Sequence, residues 1–190
     1  MQVDNTLTVV LLSVALLVFG TLVFLHSGKD YRLHDRLSHL SVLLTVLVFV
    51  FHGAASYVYL NPRLSAIDTT NPLFGVSVVL VVGGLVLLFT SIGRLGAKKT
   101  LGRDPSGLYC EGIYRHSRNP QVVFYGLAAV GYALLWPSWQ GVVWVVIYAV
   151  LAELMVRTEE RHLEQKYGKD YVEYCELTPR YVDLPGGKKK

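Results

Sequence analysis

The chain has 190 residues, of which 52% are hydrophobic and only 17% are charged, and its mean hydropathy is +0.40. This composition is too apolar for an ordinary soluble domain, so it excludes that class and favours a membrane protein. The formal net charge of +4 and a pI near 9.0 do not require a nucleic acid partner, because in a membrane protein they are explained by topology and by attraction to anionic lipids.

Three stretches poor in formal charge, residues 6–25, 40–60 and 72–92, are each long enough to cross the hydrocarbon core as a helix. Two shorter stretches, 120–136 and 139–156, predict a helical hairpin that turns at Pro137 and Ser138. The first stretch lacks a basic region before it and is preceded by Asp4, so we interpret it as a retained anchor rather than a signal peptide. The predicted fold is therefore an all-α integral membrane bundle of five transmembrane helices.

The polar residues divide this bundle into two parts. Residues 1–92 form a three-helix membrane anchor and part of the bundle, and residues 93–190 form the predicted catalytic part. The second part consists of a polar loop, the hairpin 120–156 and a polar C-terminal segment 157–190. A cofactor pocket built from the loop before the fourth helix and from the C-terminal helical tail is the simplest arrangement of these polar segments.

The distribution of lysine and arginine residues predicts how the chain is oriented in the membrane. Segments 27–37, 93–119 and 157–190 hold 3, 6 and 8 of the 18 lysine and arginine residues, and only Arg63 falls on the other side. With five spans, the positive-inside rule predicts that the N-terminus is outside and that the C-terminus and the active site are cytosolic. Cys110 and Cys175 then lie in the cytosol, where disulfides are rare, and neither has the spacing of a zinc site.

Several other sequence patterns do not indicate a catalytic or binding site. The stretch GRLGAKKT lacks the second glycine of a phosphate loop, because Lys98 stands at that position. His52 lies within a predicted span, where a hydrogen bond between helices is favoured over a proton relay. The terminal GGKKK is either a basic tail or a remnant of cloning.

The fifth span continues into a polar helix, for which Gly168 is the expected stop. At about 100° per residue, Glu153, Arg157, Glu160 and Glu164 form one narrow stripe, and His162 points nearly the opposite way. A solvated face of ion pairs is the plain interpretation. The stripe begins inside the membrane span, however, where ionisable residues usually mark function, so Arg157 and Glu160 are candidate functional residues.

A second candidate lies in YRHSRNPQ, directly before the fourth helix. Pro120 starts that helix, and the backbone N–H groups at its beginning carry a partial positive charge that Arg115 and Arg118 reinforce. This corner attracts a carboxylate or phosphate. The glutamates of the fifth helix offer carboxylates for an amine or a ribose hydroxyl, so a small cofactor of mixed charge suits the two together.

The ordered set LYCEGIYRHSRNPQ, a two-helix hairpin and RTEERHLEQKYGKDYVEYCELTPRYV resembles the membrane methyltransferases related to isoprenylcysteine carboxyl methyltransferase and phosphatidylethanolamine N-methyltransferase. The resemblance covers residues 108 to about 182, whereas the first three spans match only as hydrophobic helices. It rests on three groups of residues: Leu108, Gly112, Tyr114, Arg118 and Pro120; Arg157, Glu159 and Glu160; and Tyr167, Gly168, Tyr171 and Tyr174.

The chain departs from the family pattern at two positions. Asn119 replaces the motif histidine and cannot titrate, so no proton transfer is assigned to it. Val122 replaces the motif tyrosine, and Tyr125, one turn later, is the nearest residue that supplies a hydroxyl.

The resemblance implies S-adenosylmethionine as methyl donor and a lipid or lipidated small substrate that comes laterally from the bilayer. It implies Arg157 and Glu160 as catalytic residues. The cofactor-binding residues that it implies, with the neighbouring polar groups, are Leu108, Gly112, Tyr114, Arg118, Asn119, Pro120, Gln121, Tyr125, Glu159 and Glu160.

The acceptor is left open. If it is a carboxylate, as in an isoprenylcysteine, Arg157 orients it through a bidentate pair; if it is a phospholipid amine, Glu160 is its partner as base or counter-ion; a membrane thiol is a third option. Two other functions stay open: a reductase of lipid-like double bonds that uses NADPH, and a non-enzymatic scaffold or channel. The expected partners are membrane lipids and no nucleic acid, and the sequence favours no particular oligomeric state.

Overall fold

The computed structural model describes residues 6–60, 67–95 and 107–182. Arg63, Lys98 and the terminal GGKKK, to which the sequence analysis referred, lie outside the described residues. Within the described ranges the chain is helical and contains no strand, which confirms the all-α prediction.

The described residues form six α-helices and one 3₁₀ turn. The turn lies between α3 and α4 and spans Gly112–Arg115. The helices are α1 Thr6–His34, α2 His39–Leu60, α3 Leu73–Leu95, α4 Pro120–Leu134, α5 Trp139–Tyr167 and α6 Lys169–Leu177.

Four of these helices, α1, α2, α3 and α5, are long and apolar enough to cross a membrane. Helix α4 has 15 residues and is therefore about 22 Å long, shorter than the roughly 30 Å hydrocarbon core. The described residues thus form a membrane helical bundle with four span-length helices and one shorter apolar helix.

The helix ends follow local chemistry. Ser138 caps α5, since its hydroxyl accepts a hydrogen bond from the Gly141 amide at 3.1 Å. At the other end Gly168 adopts a φ of 52°, the left-handed conformation that glycine favours, and α5 stops there as predicted. Helix α1 runs beyond the predicted span to His34, and the following turn is fastened by Asp30, which accepts hydrogen bonds from the Ser38 amide and the Ser41 hydroxyl.

Helices α3 and α4 pack through glycines. A Cβ atom on Gly84 would lie 2.7 Å from the Phe124 carbonyl oxygen, and one on Gly131 would lie 2.8 Å from the Ser77 carbonyl oxygen. These distances leave no room for a side chain, so the two backbones are in direct contact. Small residues allow this close approach in membrane bundles, where dispersion contacts replace the hydrophobic effect between helices.

A buried polar group joins α2 to α5. The two rings of His52 and Trp144 stack with centroids 4.6 Å apart. The Trp144 indole donates to the His52 carbonyl at 2.8 Å, and His52 Nε2 lies 3.0 Å from the Trp144 carbonyl. His52 therefore holds two helices together, as the sequence analysis favoured.

The polar segments meet at one end of the bundle. Lys166 on α5 lies 2.6 Å from the Asp35 carboxylate after α1, and the rings of Tyr31 and His162 stack with centroids 4.1 Å apart. Leu95 at the end of α3 borders the same region. The end of the bundle that carries α6 is therefore where a site of polar residues is assembled.

Candidate active site

The loop before α4 is tied to the end of the chain. The Arg118 amide donates to the Pro179 carbonyl at 2.9 Å, and the Asn119 side chain donates to the Arg180 carbonyl at 3.1 Å. The buried Tyr174 hydroxyl on α6 donates to the Tyr114 carbonyl at 2.6 Å. These bonds make the loop and the C-terminal segment one structural unit.

Pro120 begins α4, as predicted, and its ring is buried. Asn119 is the N-cap residue by position, but its side chain makes no capping hydrogen bond, because it is turned toward Arg180. Gly112 has a φ of 60°, so the 3₁₀ turn begins at a position that favours glycine. That turn places Tyr114 beneath the loop, where its side chain is buried.

Three arginines and two glutamates form an ion-pair network beside this unit. Arg180 lies between Glu160, at 2.6 Å, and Glu153, at 3.2 Å. Glu160 also faces Arg118 at 3.0 Å, and Glu153 also faces Arg157 at 2.6 Å. The carboxylate of Glu160 is therefore held by two guanidinium groups, and its side chain is only 11% exposed.

Arg118 stands at the edge of both this network and a cavity. Besides Glu160, its Nη1 contacts the Tyr171 hydroxyl and donates to the Cys175 thiol. Its Nε is buried and has no hydrogen-bond partner among the described residues. Arg118 thus has an Nε–H donor without a partner among the described residues, while its Nη1 is engaged.

The cavity is enclosed by α1, α5, α6 and the loop before α4, and its non-atom space, counted with the open mouth, is about 720 Å³. Its walls combine aromatic rings with charged groups of both signs. The residues that line it are Tyr31, Asp35, Leu95, Gly107, Leu108, Tyr109, Tyr114, Arg118, Glu159, His162, Leu163, Lys166, Tyr167 and Tyr174.

Four of the predicted site residues line this cavity: Leu108, Tyr114, Arg118 and Glu159. Besides Arg118, two of them offer unused polar groups. The Tyr114 hydroxyl is buried without a hydrogen-bond partner, and no hydrogen bond or ion pair engages the Glu159 carboxylate within the described part of the chain. Burial, and then the charge of nearby Glu159, raises the pKa of Tyr114, so this hydroxyl stays protonated and can donate.

The other predicted residues lie outside the cavity lining. Glu160 is behind Arg118, and Arg157 is on the outer face of α5, where its side chain is 60% exposed. Tyr125 is deep in the bundle beside His52, with its hydroxyl 3.3 Å from Nδ1. The remaining ones, which flank the cavity at the loop and the start of α4, are Gly112, Asn119, Pro120 and Gln121.

The sequence analysis did not select several residues that line the cavity, among them Tyr31, Asp35 and Lys166. A signal for part of the lining was present in α5, since Glu159, His162, Leu163, Lys166 and Tyr167 are spaced i, i+3, i+4, i+7 and i+8 along one helix face. The acidic stripe that drew attention lies on another face of the helix. His162 does point away from that stripe, as predicted, and this places it in the cavity wall.

The sequence model of the phospholipid methyltransferase family matches residues 73–170. The match covers more than half of the chain and begins with α3. It therefore includes a span that had resembled the family only as a hydrophobic helix. No curated protein and no solved structure matches the chain. The matched region carries α3, the loop with Tyr114 and Arg118, the α4–α5 hairpin and Glu159, and the chain therefore belongs to the phospholipid methyltransferase family, whose members are membrane methyltransferases.

Proposed function

We propose that the chain transfers a methyl group from S-adenosylmethionine to a lipophilic acceptor in the membrane, and that the cavity beside Tyr114, Arg118 and Glu159 holds the methyl donor. The observation that carries the proposal is the set of unused polar groups there. A buried phenol and a buried guanidinium N–H, neither with a hydrogen-bond partner among the described residues, and the carboxylate of Glu159 belong to residues that line one cavity walled by aromatic rings. Buried polar groups are normally satisfied, so such a set indicates a ligand.

The chemistry of these groups fits the proposed donor. Arg118 suits the donor's carboxylate, and Glu159 suits its amino group or a ribose hydroxyl. The rings of Tyr31, Tyr109 and Tyr167 offer flat apolar surfaces for an adenine ring and for the positive sulfonium. When bound, S-adenosylmethionine supplies a methyl group on a positively charged sulfur that is ready for displacement.

The residues of the chain would act chiefly by alignment and by exclusion of water, since an in-line displacement needs little acid–base chemistry. Glu160 would act through Arg118: it pairs with this guanidinium at 3.0 Å and so fixes the direction of the free Nε donor. Arg157 lies on the outer face of α5, near the predicted end of the span. There it would orient the charged end of an acceptor that arrives from the bilayer.

The proposal is tested by calorimetric titration of the detergent-purified full-length protein with S-adenosylhomocysteine, the product of the proposed donor, and separately with NADPH. We expect saturable binding of the first compound and none of the second. Methyl incorporation into extracted membrane lipids from labelled S-adenosylmethionine is the companion assay. Binding of NADPH without binding of S-adenosylhomocysteine would contradict the proposal and support a reductase.

A further inference from the structure

The segment that follows α6 lies against the loop before α4. Helix α6 stops before Thr178, because a residue that precedes a proline is driven into the extended conformation, and Thr178 has φ −130° and ψ 125°. The next two carbonyls, those of Pro179 and Arg180, accept hydrogen bonds from the Arg118 amide and the Asn119 side chain. Arg180 is therefore placed beside the loop by contacts that do not involve its own side chain.

The Arg180 side chain holds one oxygen of the Glu160 carboxylate. Its Nη2 lies 2.6 Å from Oε2 of Glu160, and its Nη1 lies 3.2 Å from Oε1 of Glu153, so the guanidinium bridges two carboxylates of α5. The Arg180 side chain is 38% exposed, whereas that of Glu160 is only 11% exposed. A half-exposed arginine thus reaches inward to a carboxylate that is nearly buried.

The other Glu160 oxygen faces Arg118 without a hydrogen bond. Oε1 of Glu160 lies 3.0 Å from Nη1 of Arg118 but accepts no hydrogen bond from any described residue, and Nε of Arg118 also lacks a partner there. A guanidinium and a carboxylate that are both nearly buried frequently form two parallel hydrogen bonds. Such a bidentate pair through Nε and one Nη needs both oxygens of Glu160, and Arg180 occupies one of them.

We propose that Arg180 is a positioning residue of the methyl-donor site: by occupying Oε2 of Glu160, it prevents this carboxylate from closing on the Nε–H group of Arg118. That N–H group then stays available to the carboxylate of the methyl donor. Without Arg180, Glu160 forms the bidentate pair with Arg118, and a ligand must break this pair before it binds. Arg180 does not line the cavity, so its effect on the ligand passes through Glu160 and Arg118.

The inference rests on the proposed function for the identity of the ligand. The competition of Arg180 and Arg118 for Glu160, however, is a property of the unliganded chain, so the two can be tested separately.

Tyr181 provides a matched control, because it joins the same segment to α5 without contacting Glu160. Its hydroxyl donates a hydrogen bond to Oε2 of Glu153. Tyr181→Phe removes this attachment of the segment but leaves the contact between Arg180 and Glu160 in place. The control therefore separates a loosened segment from a released Glu160 carboxylate.

The binding test titrates the full chain in detergent with S-adenosylhomocysteine. We expect Arg180→Ala to weaken binding by about five- to tenfold, since the ligand then competes with an existing hydrogen bond to a charged group. Arg180→Lys keeps a cation beside Glu160 and should lose less than about threefold, and Tyr181→Phe should change the affinity by less than about twofold. No effect of Arg180→Ala, or an equal effect of Tyr181→Phe, overturns the proposal.

The same titration in a Glu160→Gln background separates this route from a general structural role of Arg180. A neutral amide does not form the charged bidentate pair, so Nε of Arg118 stays available with or without Arg180. We expect the effect of Arg180→Ala to fall below about twofold in this background, because the two substitutions act through one contact. An effect of the same size in both backgrounds means that Arg180 acts through other contacts, and it overturns the proposal.

An NMR measurement on the unliganded chain separates this inference from the proposed function. In protein with isotope-labelled arginine, the Nε–H signal of Arg118 is identified by its absence from Arg118→Lys. A hydrogen bond to a carboxylate moves such a proton signal downfield, so we expect a downfield shift in Arg180→Ala and none in Tyr181→Phe.

The two measurements together assign any failure. If wild type binds no S-adenosylhomocysteine but the downfield shift occurs in Arg180→Ala, the proposed function fails and the competition for Glu160 stands. If wild type binds S-adenosylhomocysteine but the signal stays in place in Arg180→Ala, the proposed function stands and the positioning role of Arg180 is overturned.

Discussion

Arg118 and Arg115 are three residues apart in the same loop but differ in their surroundings. Arg118 pairs with Glu160, lines the cavity and has a buried Nε without a hydrogen-bond partner among the described residues, whereas Arg115 is exposed. We expect Arg118→Ala to weaken S-adenosylhomocysteine binding by about 1.5 to 3 kcal/mol, the usual worth of a hydrogen bond to a charged group, or roughly 10- to 150-fold. Arg115→Ala, measured in the same titration, should change the affinity by less than about twofold. A larger effect at Arg115 would place the donor elsewhere.

Tyr114 and Tyr174 form a second matched pair. The Tyr174 hydroxyl satisfies the buried Tyr114 carbonyl, whereas the Tyr114 hydroxyl has no partner among the described residues. Tyr174→Phe should therefore lower the free energy of unfolding by about 1 to 3 kcal/mol, because it leaves a buried carbonyl unsatisfied. Tyr114→Phe should leave stability unchanged and weaken S-adenosylhomocysteine binding. Thermal unfolding and titration of both variants check this, and loss of stability without loss of binding at Tyr114 would make its hydroxyl structural.

At this scale the sequence could predict the residue types of the cavity but not all of its members. Tyr114, Arg118 and Glu159 were found because they stand in motifs. Tyr31 and Asp35 were not, because they come from the end of α1 and from the residue that follows it, and nothing in the local pattern of α1 says which of its faces meets α5. That choice depends on the packing of Gly20 against Leu151 and on the Tyr31–His162 stack, which are contacts between distant parts of the chain.

At the level of helices the sequence was more informative. The five apolar stretches became α1 to α5, and Gly168 ended α5, because span length and helix-stop chemistry are local properties. The sequence analysis placed the end of α1 near residue 25, but the helix continues to His34. No proline stands between these positions, and the polar turns that continue α1 bring Tyr31, and Asp35 directly after the helix, to the cavity.

The α3–α4 contact depends on glycine at one position and not at its neighbour. A Cβ on Gly84 would lie 2.7 Å from the Phe124 carbonyl and 2.8 Å from the Ala128 amide, whereas one on Gly83 would meet nothing within 4 Å. Gly84→Ala should therefore force the two backbones apart and cost on the order of 1 to 3 kcal/mol. Gly83→Ala should be neutral or stabilising, because it only removes backbone freedom. The thermal unfolding midpoints of the two variants decide, and equal midpoints would contradict the close packing.

At the scale of the whole molecule, the middle of the bundle and the end that carries α6 are held together by different kinds of contact. The middle of the bundle is joined by the His52–Trp144 pair and by glycine packing, and the end that carries α6 is joined by the ion pairs of Asp35, Glu153 and Glu160. This division explains why one end can carry a site of charged residues while the rest of the bundle stays apolar. The cavity beside Tyr114, Arg118 and Glu159 belongs to that end, and the stacked rings of Tyr31 and His162 form part of its wall.

The positive-inside rule predicts that this end faces the cytosol, and two single cysteines test this prediction. Lys169 begins α6 at the charged end, and Asp68 lies in the α2–α3 connection at the opposite end, and both are exposed. In a background in which Cys110 and Cys175 are replaced by serine, Lys169→Cys should react with a membrane-impermeant maleimide in inside-out vesicles only. Asp68→Cys should react in right-side-out vesicles only, because 17 of the 18 basic residues belong to the cytosolic side in the predicted topology. Labelling of both positions from one side would contradict the arrangement of α2 and α3 as spans. The reverse labelling pattern would put the proposed donor cavity outside the cytosol, where a cytosolic methyl donor cannot reach it.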